Sequence, residues 1–422
     1  MRSKNMLLKA LGVEGCVMLD CRWEDETGGR PCMVFCVRVV RRERHRCPRC
    51  GRRGSGYDQG DGVRRWRVPD VGLSEALIEA NAPRMQCKEH GVLVARVPWA
   101  RSSSGFSRAF EDTVAWLAVR TDKSAIRELL GVAWRTVGAI LERVLREQRT
   151  LIDPFANVIK IGIDEISYRK HHKYLTVVVN HETGRLIWAA PGRNSATLHT
   201  FFDALGPERT AKIQLVSADA ASWIAAVVTG RCPKATQTMD PFHVVQWATN
   251  ALDECRRDIV NDLRQKGELA RAKAFKNSMW ALRKNPENMC EKQQNTLANL
   301  ERENQPLYRA YLLKETLRQT FQLAPVAAKS QLDDWLRWAP RSKLAPFIKL
   351  AATIRAHRRR IEAAFETGLS NARVEGTNTR LRLLTRVAFG FHSAEPLLTL
   401  AMLKLGGMCP ALPHKRYPLL CQ

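Results

Sequence analysis

The spacing of apolar residues changes repeatedly along the chain, and each change marks a boundary. Residues 1–46 alternate in short apolar bursts broken by Gly and Glu, which predicts two or three strands joined by a turn at Gly28-Gly29. The strand-like runs 63–68 and 76–82 predict a hairpin. From Ser107 the period becomes 3.6. Phe110, Val114, Leu117 and Ala118 stripe one helix, Ala125, Ile126, Leu129 and Leu130 a second, and a third runs from the turn at Gly131 to about Arg149. Alternation returns in residues 158–167 (VIKIGIDEIS), where β-branched side chains predict a strand buried on both faces, with Asp164 where it leaves the core. Runs 174–180 and 185–190 complete a meander; then helices 196–205 and 222–229 alternate with strands 213–219 and 235–239, which end on Asp219 and Asp240. Beyond His243 the pattern is helical for over a hundred residues, with Pro286, Pro306, Pro325 and Pro340 separating the helices. Residues 371–384 predict a helix with Glu375 near its start, residues 396–405 a last apolar helix on the same domain, and the tail after Gly406 reads as loose.

Charge adds a partner to this outline. Among 422 residues, 68 Lys and Arg against 42 Asp and Glu leave +26 and a pI near 10.0, a bias that favours a polyanion, with nucleic acid the default. Twelve cysteines without a signal-peptide pattern point to a reducing cytosol, and most of them, including Cys16, Cys21, Cys32, Cys36, Cys255 and Cys290, read as small apolar side chains. No run reaches the roughly 18 apolar residues of a membrane helix, so a cytoplasmic location without a membrane partner is expected.

Four cysteine and histidine positions stand apart. Cys47-Pro-Arg-Cys50-Gly51 and Cys87-Lys-Glu-His90-Gly91 are two glycine-closed knuckles that together offer four ligands for one tetrahedral Zn²⁺, with the 63–68 and 76–82 hairpin between them. Helix, Gly131 turn and helix form a helix-turn-helix pattern, which sets Trp134, Arg135 and Thr136 where a recognition helix first meets the major groove. The basic cluster Arg355, Arg358, Arg359 and Arg360 reads equally as a solvated face or a phosphate-tracking surface.

Asp164, Asp219 and Glu375 end two strands and begin one helix. Such carboxylates can converge on two Mg²⁺ ions, the arrangement that in-line phosphodiester displacement uses. Asp164 is preferred to its neighbour Glu165, which alternation sends to the opposite face. Asp219 is preferred to Asp240 because its strand is more apolar and its flanks, Ala218 and Ala220, are small. Asp240 and His243, in Asp240-Pro-Phe-His243, suit a supporting role toward those acids or a phosphate. Three antiparallel strands followed by βα units with acids at strand ends is the order of a ribonuclease-H-like domain.

CPRCG, RRWRVPDVG, MQCKEHG, VPWA, GIDEIS, SADAAS, MDPFHVVQ and SNARVEGTNTRLRLL, in that order over nearly the whole chain, resemble the insertion-sequence transposases of the ISL-three family. The resemblance implies a multidomain α/β protein: a zinc-binding β module, a helix-turn-helix, and a ribonuclease-H-like catalytic domain with a large helical insertion before its last acid. By position, the catalytic acids fall on Asp164, Asp219 and Glu375, and the Zn²⁺ ligands on Cys47, Cys50, Cys87 and His90. Expected boundaries are 1–46, 47–100, 101–150, 151–250, 251–366, 367–408 and a 409–422 tail. The implied activity is Mg²⁺-dependent DNA cleavage and strand transfer, with Mn²⁺ as a substitute metal. The implied partners are double-stranded DNA, as terminal inverted repeats and as target, and a second copy of the chain in a homodimer or higher oligomer. A non-catalytic zinc and helix-turn-helix regulator, or a structure-specific nuclease of the same fold, shares part of this pattern.

Overall fold

The computed structural model describes residues 2–24, 31–169, 173–369 and 371–416; the Gly28-Gly29 turn lies outside them. The chain divides into two compact units, Met1–Pro154 with Leu383–Gln422, and Phe155–Arg382.

The first unit opens on a helix that the alternating pattern did not predict, α1 (Arg2–Ala10), with Leu8 buried in the core of the adjacent sheet. That sheet contains β1 (Cys16–Glu24), β2 (Cys32–Val39), β4 (Val63–Val71) and β5 (Ser74–Asn81) in the order β1-β2-β5-β4. The hairpin expected between the zinc knuckles is β4 and β5, and it closes onto the N-terminal strands through a parallel β2–β5 pairing. A separate three-stranded sheet of β3 (Ser55–Asp58), β6 (Arg84–Cys87) and β7 (Gly91–Val94) carries the knuckles.

Next come α2 (Arg108–Ala118), α3 (Lys123–Leu130) and α4 (Trp134–Leu151). Ser107 and Asp122 cap the first two by accepting backbone N–H bonds, and Gly131 ends α3 in the left-handed region at φ 61°, where a side chain is disfavoured. Leu129, expected in the apolar stripe of α3, is exposed, and Ile126 is that helix's buried residue. The last helix, α17 (Ala394–Leu405), packs on α4 and so belongs to this unit and not to the domain of the later sheet. The tail after Gly406 is partly held, since Met408 is fully buried. Cys21 and Cys290 are exposed and do not serve as core side chains.

The second unit is built on β8 (Lys160–Arg169), β9 (Lys173–Asn180), β10 (Leu186–Pro191), β11 (Leu215–Ala218) and β12 (Thr236–Met239), in the order β10-β9-β8-β11-β12. The first three strands are antiparallel; β11 runs parallel to both β8 and β12. Connections α5 (Ser195–Leu205), α6 (Pro207–Thr210) and α7 (Ser222–Arg231) supply Leu198, Phe201, Phe202 and Ile224 to a core with Ile161, Ile163 and Val216.

Eight helices follow: α8 (Pro241–Gln265), α9 (Leu269–Asn277), α10 (Met279–Arg283), α11 (Glu291–Glu303), α12 (Gln305–Thr320), α13 (Pro325–Arg341), α14 (Ala345–Ala356) and α15 (Arg358–Thr367). They enclose their own core, which includes Leu313, Trp335, Phe347 and Ile354. Pro306 and Pro325 start helices as expected, whereas Pro340 sits in the last turn of α13 without ending it. No described helix is long and apolar enough to cross a membrane.

The chain then returns as α16 (Ala372–Val387), which lies against β8. The approach is close because position 162 lacks a side chain: a Cβ there would press into Val374 Cγ2 and stand 2.7 Å from His181 Nε2. We therefore expect Gly162→Ala to destabilise the protein by about 1–3 kcal/mol, as overpacking does. Adding Val374→Ala should recover part of that loss in urea denaturation.

Candidate functional site

The zinc knuckles converge. Cys47, Cys50, Cys87 and His90 offer four ligand atoms within 4.8 Å of one another, the only such group of three or more His, Cys, Asp or Glu among the described residues. Sγ of Cys50 lies 3.7 Å from that of Cys87, and His90 Nδ1 lies 3.7 Å from Cys47 Sγ and 3.6 Å from Cys87 Sγ. A tetrahedral Zn²⁺ with standard bond lengths spaces sulfur from sulfur by about 3.8 Å and sulfur from nitrogen by about 3.6 Å. The residues therefore fit Zn²⁺, with Nδ1 as the histidine ligand. Around them the buried core is only Cys47, Met85, Cys87 and Ala95.

Asp164 lies midway along β8, which stays paired and partly buried beyond it to Arg169 instead of leaving the core there, and Asp219 follows the end of β11. Register pairs Ile163 with Ala218, so Asp164 stands on β8 beside Asp219, where the neighbouring β11 ends. Burial and the neighbouring Asp219 push the Asp164 carboxyl up to about 6, even though the Glu165 N–H donates to its Oδ1 at 2.7 Å. Asn378 of α16 donates to its Oδ2 at 2.6 Å. Alternation separates the adjacent acids: Asp164 meets α16, while Glu165 pairs with Arg193 at 2.6 Å. Asp219 Oδ1 accepts from the Ala221 N–H at 2.9 Å.

Glu375 stands apart from this pair. It is exposed, three residues before Asn378, and the three carboxylates do not form a group within 4.8 Å of one another. Residues three apart on a helix have Cβ atoms about 5–6 Å apart, which keeps Glu375 on the flank of the turn that touches Asp164.

Asp240 is buried and accepts from the Phe242 N–H at 3.3 Å, so it caps α8, and its Oδ2 lies 3.1 Å from His243 Nδ1. That contact raises the His243 pKa, and Asp219 and Asp164 act in the same direction. The cluster is thus a set of hard oxygen donors, one of them desolvated and reluctant to ionise beside another, a composition that fits Mg²⁺ or Mn²⁺.

Sequence reasoning missed the polar wiring beneath these acids. Ser217 donates to Asn371 Oδ1, so its single hydrogen is committed, and His181 Nε2, 2.6 Å from the same hydroxyl, must be the donor there. Burial, with Arg373 and Lys160 nearby, pushes the His181 pKa down to about 4 and keeps the ring neutral. The Asn371 N–H reaches Asp240 Oδ1 at 3.4 Å, and Arg373 donates to the His181 and Glu182 carbonyls. A glycine inside a β-branched run was the available signal. Arg360 was also missed: of the basic cluster it alone turns to the acids, donating from Nη2 to the Asp219 carbonyl at 2.7 Å.

In the helix-turn-helix, Trp134 is half exposed at the start of α4 with the Lys123 ammonium 4.3 Å from its ring centroid, Arg135 is exposed and Thr136 is partly so. A buried ion cluster braces the bundle: Arg101 holds Glu111 at 3.0 Å, Asp112 at 2.7 Å and Glu147 at 2.6 Å, and Arg143 holds Glu111 from its other side at 2.6 Å.

Comparison with known proteins follows the same segments. A profile described as the zinc-finger of transposase IS204/IS1001/IS1096/IS1165 matches residues 43–90, the helix-turn-helix domain of transposase family ISL3 matches 95–145, and a transposase profile of that family matches 161–400. The chain is 50% identical to the transposase for insertion sequence element IS1557 of Mycobacterium tuberculosis, over 98% of both chains. It is 27% identical to the transposase for insertion sequence element IS1001 of Bordetella parapertussis, over 83% of this chain and 86% of that one.

With half of its small core supplied by metal ligands, the knuckle module should depend on zinc. Elemental analysis of the purified protein is expected to give one zinc per chain. Chelation or Cys87→Ser should melt the three-stranded sheet, visible as proteolysis within residues 43–90, while the second unit stays folded.

Proposed function

This chain belongs to transposase family ISL3, and on that premise we propose that Asp164, Asp219 and Glu375 are the acids with which it cuts and rejoins DNA at the ends of its insertion sequence. The observation that carries the assignment is the placing of Asp164, on β8, beside Asp219 at the end of the neighbouring β11, with the Asp164 carboxyl displaced to about 6. The sheet order, three antiparallel strands and then two parallel ones, supports reading this domain as ribonuclease-H-like, with α8 to α15 as the insertion before the last acid.

Asp164 and Asp219 would hold the metal from the sheet, and Glu375 would complete the set from α16, which Asn378 ties to Asp164. When bound, two Mg²⁺ ions, replaceable by Mn²⁺, supply a lowered pKa for the attacking water or 3′-hydroxyl and charge neutralisation for the leaving oxygen. Asp240 fixes His243 through Nδ1 and leaves Nε2 free to donate toward the acids or a phosphate oxygen. Trp134, Arg135 and Thr136 read the terminal inverted repeats from the major groove, and the zinc module adds phosphate contacts. Pairing two element ends requires at least a dimer on the DNA, and target DNA follows the ends into the same site. The work is done on nucleoid DNA in the cytoplasm.

Asp164→Asn, Asp219→Asn and Glu375→Gln should each remove several kcal/mol of transition-state stabilisation, about a thousand-fold or more in cleavage rate, while repeat binding stays within about twofold. Cleavage and joining of a pre-cut 3′-hydroxyl end, assayed with a gel-shift control, check this. Full activity in Asp164→Asn would sink the assignment, and cutting without joining would mark a nuclease.

Stability should show the same site. The Asp164 pKa lies above the ordinary carboxylate value, so the native state binds more protons than the unfolded chain between about pH 4 and pH 6, and metal-free protein loses stability as pH rises through that window. Mg²⁺ at about pH 7 should restore it. Thermal unfolding at both ends of the window, with and without Mg²⁺, should show both effects weakened in Asp164→Asn.

A further inference from the structure

The basic cluster at residues 355–360 is not one surface. Arg358 is held by Asp333 at 2.7 Å and Glu362 at 2.6 Å, and Arg355 Nη2 donates to the Leu336 carbonyl at 2.8 Å. Arg359 is exposed. Arg360 alone faces inward. Its Nη2 donates to the Asp219 carbonyl at 2.7 Å, its Nε is buried without a hydrogen-bond partner among the described residues, and its charge is met only through space by Asp219.

A guanidinium in such surroundings normally has an acid across from it, because an unpaired buried charge is costly. One bond to a carbonyl uses one of its five N–H donors and none of its charge. A neutral amide could hold the carbonyl equally well. The environment explains the placement. α15 packs along β12, Ala220 packs into the core of the helical insertion, and His357, at the start of α15, lies against Trp247 of α8 with ring centroids 5.7 Å apart. α8 also carries His243, whose proton is favoured by Asp240 and, more weakly, by Asp219 and Asp164. Arg360 and His243 are therefore two donors on two helices beside a pair of acids, and a bound anion would satisfy the open side of Arg360.

We propose that Arg360 contacts a non-bridging oxygen of the DNA phosphate held at Asp164 and Asp219, which makes it a substrate contact for cleavage and joining. This deepens the assignment of those acids and rests on it. A planar fork suits a phosphodiester, and the contact requires its charge as well as its hydrogen bond.

The test uses the full-length protein and duplexes bearing the element end, with Ca²⁺ in place of Mg²⁺ so that binding is read without turnover. A neutral methylphosphonate replaces, one at a time, the mapped scissile phosphate and the two on each side. At one of these positions the substitution should weaken wild-type binding about tenfold. Arg360→Gln, which keeps a donor for the Asp219 carbonyl, should bind the natural duplex about tenfold more weakly, ignore that one methylphosphonate, and lower the slope of log K against log salt by about 0.9. Additive penalties at all five positions overturn the proposal. If Arg360→Gln melts below the assay temperature, Arg360→Lys carries the same cycle; it keeps the charge and loses the fork, so it should show a partial penalty at the same position. Cleavage by Asp164→Asn and Asp219→Asn, run in parallel, reports separately on the acids: activity there refutes their assignment whatever the methylphosphonates show.

Discussion

The second unit depends on how closely α16 can lie on β8. A helix that begins at Ala372 must find one register on a strand that begins at Lys160, and it can approach only because Gly162 presents no Cβ to Val374 and His181. Close approach alone does not fix a register. The buried chain from His181 through Ser217 to Asn371, and the Asn371 N–H on Asp240, supply direction. Sliding α16 by one residue would strand these groups without partners in a dry interface, at about 1–3 kcal/mol for each group left unsatisfied. The network touches β11, the β9–β10 turn, the end of β12 and the start of α16, so it ties together the segments that carry Asp219, Asp240 and Glu375, and Asn378 of α16 adds Asp164. Neutral His181 is part of this, since a charged ring under Arg373 and Lys160 would repel both.

Charge is handled differently in each part of the chain. Between α2 and α4, Arg143 of α4 and Arg101 of the segment before α2 hold Glu111, Asp112 and Glu147 in a largely buried cluster, a case where removing one member would be more harmful than never having had the set. The knuckle sheet has too little apolar surface to fold on its own account, and two of its four core side chains are thiols offered to a metal. At the acids, Asp164 and Asp219 stand side by side, and the Asp219 charge adds to the burial that disfavours the charged form of Asp164.

Local features were legible in the sequence, and long-range ones were not. The two knuckles could be read because ligand spacing within each is short and glycine-closed, and strands β8 to β12 because alternating or continuous apolar runs carry their own signal, although β8 runs past Asp164 to Arg169. Asp164 could be separated from Glu165 by alternation alone. The Ser217, His181 and Asn371 network could not, because its members are polar residues of ordinary type, 36 and 154 positions apart, and only the folded sheet brings them together. Arg360 was hidden inside a run of arginines whose members have different fates. α1 was missed because nine residues with few apolar side chains give a weak period, and the packing of Leu8 outweighs it. Leu129 shows the opposite error, an apolar residue at helical spacing that the bundle leaves exposed.

The helical insertion then acquires a physical role in the site. A long excursion between β12 and α16 would, as a flexible loop, leave the last acid tethered by little more than chain connectivity, and the entropy of closing it would oppose assembly. α8 to α15 remove that cost by having a core of their own, so that the excursion is a solid body with two fixed ends. One end is α8, capped by Asp240 and carrying His243; the other is α15, carrying Arg360 to the Asp219 carbonyl. Both ends lie against the β11 and β12 edge of the sheet, so the insertion grips the strand end on which Asp219 sits and delivers α16 with only the short segment 368–371 left to arrange. Glu375, exposed at the first turn of that helix, is then the one acid whose position is set by a side-chain rotamer and not by the sheet. In the proposed site, an acid held that way would close on a bound cation, while Asp164 and Asp219 would stay where the backbone puts them.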